Sequence, residues 1–271
     1  MDECVREYFY QSSAEGPRSS FHRVIALHDT LAMPWEEVST LVPTITRGWY
    51  ELAHLPTLDR IEFTREFWLA KLPYHPNLVE FMIRFFAEIE DIGIFLTQKK
   101  VHDPFEPVLV YSLKEARGFF RGYAPASEEV ILELQETFPA FIFPADYLAF
   151  LHIHDGFCKT TDCTGITSAE KMWESYCVFQ EALHQEVVIT TGNGSPVNPM
   201  TLIPFYESFG MPFFQCFWAE WYPENEMGNV YYSGITKTIS DIEGKDPSSE
   251  GMAFSTFVDW LMFYMERVDT S

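Results

Sequence analysis

Basic residues are scarce in this chain: 18 lysines and arginines stand against 40 aspartates and glutamates over 271 residues, a formal net charge of −22. Such a surface repels phosphate backbones and anionic lipid, so nucleic-acid and membrane-surface binding have no electrostatic support. The acidity serves solubility alone, or it draws in a basic partner. Long apolar runs are also missing. Every apolar stretch meets Glu, Arg, Pro or Gly well before the ~18 to 20 residues that a bilayer crossing needs. The opening MDECVREYF lacks the basic and apolar regions of a secretory signal, and the chain is read as cytoplasmic. Cysteines are few and unpaired in pattern: Cys4, Cys158, Cys163, Cys177 and Cys216 contain no CxxC. Cys158 and Cys163 have the separation of a zinc hairpin, but the second pair that would close a tetrahedral site is absent. Reduced thiols, no metal and no cofactor are expected.

What the chain has is apolar material, 47% hydrophobic and 17% aromatic, enough for a sizeable core in one large or two ordinary domains. The turn-forming Arg121-Gly122-Tyr123-Ala124-Pro125 is the best boundary, giving an N-terminal α+β unit over 1–122 and a second unit over 123–271. In the first, periodicity predicts helices over 35–55, 63–72 and 76–90, then strands over 93–98 and 108–113. The second opens at Ser127, a good N-cap for a helix running to Phe138-Pro139. A compact helix over 143–157 follows, with Pro144 at its first position, Asp146 in its first turn and Gly156 as its stop, so that Phe157 folds back on Leu151. A strand at 164–166, a helix from Ser168 toward Leu183, strands at 202–206, 213–221 and 229–235, and a final helix capped by Ser255 complete the pattern. Phe257, Leu261, Tyr264, Met265 and Val268 recur on that helix at helical spacing.

This order resembles the SUKH superfamily, which includes bacterial immunity proteins against polymorphic toxins and fungal regulators of cell-wall synthesis. The resemblance covers about residues 124–268. It rests on Glu129, Ile131 and Leu134, on Pro144, Asp146, Tyr147, Phe150 and Leu151 with Asp155-Gly156, and on Ile166 with Ser168-Ala169-Glu170. Leu202-Ile203-Pro204-Phe205, Gly228-Asn229-Val230-Tyr231 and Ala253-Phe254-Ser255-Thr256-Phe257 with Trp260-Leu261 continue it. These are caps, turns and core positions, so they speak to fold more than to activity. Phe209-Gly210-Met211-Pro212 stands where the family often has acidic and glycine residues, and the first 120 or so residues have no counterpart. The resemblance implies an α+β fold, a SUKH-like core of antiparallel sheet flanked by helices, here with an extra mostly helical N-terminal unit. It also implies a non-enzymatic interaction module with an immunity-like or regulatory scaffold role.

Catalytic signatures are weak. His152-Ile153-His154-Asp155 has the letters of a metal motif, but positions two apart on a helix point about 200° from each other. Ser168-Ala169-Glu170-Lys171 matches SxxK without its companion motifs, and Thr191-Gly192-Asn193-Gly194-Ser195 lacks the lysine of a phosphate loop. A hydrolase using His54, His75 or His102 with a nearby carboxylate, in a site between the two units, is the alternative reading. The stronger candidate is FFQCFWAEWYPENEM, residues 213–227, which carries large apolar groups on both faces of a strand. One face is core; the other lies under the N-terminal unit or forms a binding face. Trp218, Trp221 and Tyr222 with Glu220, Glu224 and Glu226 would there suit a basic protein partner.

Overall fold

The structure, a computed structural model, describes residues 1, 3–10, 21–29, 33–162, 164–183, 188–208, 212–223, 225–242 and 252–266. Its fold is α+β. Two units separate, Met1–Pro125 with Glu266–Ser271, and Ala126–Met265.

The first unit begins with α1 (Glu3–Tyr10) and β1 (Arg23–Ala26), neither anticipated from the pattern. Four helices follow: α2 (Trp35–Leu41), α3 (Arg47–Ala53), α4 (Thr57–Lys71) and α5 (Leu78–Ala87). The single helix expected over 35–55 is two, because Val42 precedes Pro43 and leaves the helical region at φ −135°, ψ 83°. Helix resumes where the Thr46 hydroxyl accepts the Trp49 N–H at 3.2 Å.

Next, β2 (Ile89–Gln98), β3 (Glu106–Leu113) and β4 (Phe119–Tyr123) run antiparallel, and β1 pairs with the free edge of β2. The unit is as helical as expected but holds more strand, with a four-stranded sheet at its centre. The expected boundary at 122/123 falls inside β4, where pairing of Val110 with Arg121 and of Leu109 with Gly122 overrides the turn-like Arg-Gly. One sheet face packs Phe95, Val108, Val110 and Phe119 against Val5 and Phe9 of α1. On the other, Tyr111 meets Trp68 and Phe86, and Phe120 meets Phe85. A buried ion pair, Arg60 to Asp91 at 2.6 Å, ties α4 to the start of β2.

The second unit holds α6 (Glu128–Thr137), α7 (Ala145–Leu151), β5 (Phe157–Lys159), β6 (Gly165–Ile166) and α8 (Met172–Leu183). Then come β7 (Ile189–Thr191), β8 (Pro196–Val197), β9 (Leu202–Glu207), β10 (Phe213–Trp218) and β11 (Asn229–Ser233). It closes with β12 (Thr238–Ile239), β13 (Ala253–Phe254) and α9 (Phe257–Glu266). The strand order is β5-β6-β9-β10-β11-β12-β7-β8, antiparallel except between β12 and β7, with β13 also on β11.

Its caps differ from expectation in instructive ways. Ser127 caps α6 through Val130 N–H at 3.3 Å, as its position predicts. By contrast α7 stops at Leu151, and Gly156 lies beyond it at φ 101°, in the turn entering β5. Phe157 then packs on Phe150, with ring centroids 6.1 Å apart. Ser168 makes no capping bond; Asp155 Oδ1 instead accepts the Ala169 N–H at 2.6 Å. The cap of α9 is Thr256, not Ser255: its hydroxyl accepts the Asp259 N–H at 3.0 Å and donates to the Asp259 carboxylate at 2.8 Å. Val268 lies outside the described residues, as do Phe209, Gly210 and Met211.

Candidate functional site

The alternation in β10 puts Phe214, Cys216 and Trp218 toward one side, where they join Phe179 and Leu183 of α8 and Val230 and Tyr232 of β11. On the other side Phe217 stacks on Phe205 at 4.2 Å and meets Tyr147 of α7 edge-on at 5.0 Å. Both faces are thus filled from within the second unit. The second face, expected either to lie under the N-terminal unit or to form a binding face, is instead packed by Tyr147, Phe205 and Phe257 of the second unit. Trp218, 8% exposed, is a core residue and presents no anchor to a partner.

The strand ends at Trp218 rather than continuing to 221, and the chain closes into a tight loop. Trp221 N–H donates to the Trp218 carbonyl at 3.0 Å, Gly228 N–H to the Trp221 carbonyl at 2.9 Å, and Trp218 N–H to the Gly228 carbonyl at 3.0 Å. The indole of Trp221 lies over Gly228, where a Cβ would fall 2.4 Å from the ring, so only glycine fits. Trp221 is accordingly half-buried. Glu220 is exposed and Tyr222 is 43% exposed, both standing outward from this frame. Glu224 lies outside the described residues.

Glu226 has a structural partner. Its Oε2 accepts the Ala145 N–H at 3.0 Å, at the start of α7, supplying a cap that Pro144 cannot. One residue on, Asp146 accepts from its own neighbour Tyr147 N–H and from Val258 N–H, each at 2.8 Å, which joins the starts of α7 and α9. Burial, helped by the nearby charge of Glu226, pushes the Asp146 carboxyl up to about 6 despite those bonds. The sequence marks Asp146 only as a first-turn acid. Its bond to Val258 spans 112 positions, which no local pattern encodes.

The groups read for chemistry are dispersed. His54 Nδ1 bonds the Tyr50 carbonyl at 2.7 Å, His75 Nδ1 accepts the Asn77 N–H at 3.3 Å, and His102 is exposed between β2 and β3. His152 lies 3.8 Å from Glu128, whereas His154 is fully buried and stacked on Phe157 at 5.5 Å. Among the described residues no group of three or more His, Cys, Asp or Glu is placed to hold a metal ion; Cys163 lies outside them. The residues Thr191 to Ser195 form the hairpin turn between β7 and β8. Asp162 is buried with the hydroxyls of Tyr206, at 3.0 Å, and Tyr264, a network that pins the β5–β6 connection to β9 and α9.

A second apolar surface was not singled out from the sequence. Past the end of α6, Phe138 is buried and takes Trp173 of α8 edge-on at 5.3 Å. Trp173 remains 48% exposed and Ile142 72% exposed. Helical spacing offered the signal, since Trp173 and Cys177 fall one turn apart on α8, about 120° around the helix from the buried Phe179 and Leu183.

Among the described residues no helix is long and apolar enough to cross a membrane. No protein-family model matches this sequence, and no curated protein matches it.

Proposed function

We propose that this chain is a non-enzymatic, cytoplasmic protein-interaction module whose second unit is of SUKH type, serving as an immunity-like or regulatory scaffold protein that binds a basic protein partner. The order of helices and antiparallel strands from α6 to α9 supports the fold assignment. The observation that carries the function is the β10–β11 loop. Glu220 and Tyr222 stand exposed on a base closed by three backbone hydrogen bonds, so the binding geometry is set before a partner arrives. With a net charge of −22, attraction raises the encounter rate with a cationic surface, and burial of Tyr222 slows departure. Binding acts by occluding or by scaffolding that partner.

The test is capture on the immobilised chain from its own cell's lysate, at low and high salt. The expected result is a basic protein released by salt and lost from the double variant E220K/Y222A. Retention of the same protein by that variant would remove the loop from the interaction.

A further inference from the structure

The α6–α8 side of the second unit exposes apolar groups on elements whose exposed charges are almost all acidic. After α6 the chain exposes Pro139, Ala140 and Ile142, while Phe141 packs at 6.1 Å against Phe138, the ring that also supports Trp173. Along α8, Trp173 and Cys177 form one exposed strip, and Glu174, Val178 and Glu181 form the next. Among the described residues, the exposed charges of α6, of the turn before α8 and of α8 itself are Glu128, Glu129, Glu133, Glu136, Glu170, Glu174 and Glu181, with Lys171 the basic exception. Tryptophan is among the residue types enriched at the energetic centres of interfaces.

We infer that Trp173, Ile142 and Val178 form a docking surface for a cationic amphipathic helix of a partner protein, its apolar face against these three and its lysines or arginines against the surrounding glutamates. Charge decides the occupant. A second copy of this chain would bring the same glutamates against themselves, and an anionic lipid surface would be repelled by them. This inference rests on the second unit being an interaction module, yet it uses residues apart from Glu220 and Tyr222, so the two stand or fall separately.

Cys177, exposed one turn from Trp173, supplies the readout. Its alkylation rate is followed by peptide mass analysis on the full chain, with a synthetic leucine–lysine amphipathic helix as probe. A leucine–glutamate helix and a scrambled leucine–lysine peptide are the controls. The expected result is about tenfold slower alkylation with the leucine–lysine helix, weakening as salt rises, and no change with either control. W173E is expected to abolish the protection although it adds negative charge, which separates docking from simple attraction to an acidic protein; E220K is expected to retain it. An alkylation rate indifferent to the probe, equal protection in W173E, loss of protection in E220K, or protection by the leucine–glutamate helix would each overturn the assignment.

Discussion

Asp155 shows how a single carboxylate links local structure to pH. Its Oδ1 receives the Ala169 N–H at 2.6 Å and starts the turn that leads into α8, while burial lifts its carboxyl from 3.8 to about 6. A carboxyl whose folded pKa is raised binds more protons in the folded state between those two values. Its contribution therefore favours folding below about pH 4 and is lost as pH rises through about 6. Asparagine keeps an acceptor for Ala169 and cannot ionise. D155N should be more stable than the parent by about 1–3 kcal/mol at pH 7 and no more stable at pH 4, a difference readable from urea midpoints across that range. Asp146 titrates in the same window but is present in both proteins, so the difference curve isolates Asp155. Parallel curves for the two proteins would show that Asp155 is not the source. Asp146 is a poorer subject for the same exchange, because both of its oxygens accept backbone N–H groups and an amide would replace one acceptor with a donor.

At the scale of elements, the caps separate what local sequence encodes from what it does not. Ser127 was legible because N-cap, acidic first turn and apolar stripe coincide within a few residues. At α9 two adjacent hydroxyls compete for the same role, and only the backbone geometry places Thr256 opposite the Asp259 N–H. T256A should cost about 1 kcal/mol, while S255A should change stability by less than about 0.5 kcal/mol. Denaturation midpoints compare the two directly; equal effects would return the cap to Ser255. The central strands of the second unit were legible for the same reason as α6, namely dense local apolar pattern. What covers them was not: the two-sided apolar content of β10 was plain, but α7, α8 and α9 reach it from distant parts of the chain. For that reason Trp218 read as a surface anchor and Trp173 passed unnoticed. Short pieces such as β1, β4 and β12 are stabilised by their neighbours in the sheet rather than by their own composition, so pattern alone passes over them.

Charge is the property that belongs to the whole molecule. With 40 acidic side chains against 18 basic ones, most carboxylates have no cation to pair with, and their mutual repulsion opposes the compact state. Exposed pairs such as Arg47–Glu51 at 2.9 Å and Lys99–Glu106 at 3.0 Å are each worth at most about 1 kcal/mol and are screened by the same salt. Arg60–Asp91, buried at 2.6 Å, is screened much less. Net repulsion therefore dominates the response to ionic strength. Raising salt from about 0.01 M to about 0.1 M shortens the screening length from about 30 Å to about 10 Å and should raise the melting temperature. Sodium and potassium chloride should act alike, since screening depends on ionic strength and not on the cation. A fall in melting temperature would mean that the few favourable pairs outweigh the repulsion, and a large difference between the two salts would point to specific ion binding. The same screening should slow association with a basic partner, because steering over distances beyond the screening length is what an acidic surface contributes to the encounter. Stability and association rate should thus move in opposite directions over one salt series, a relation that a neutral protein of the same fold would not show.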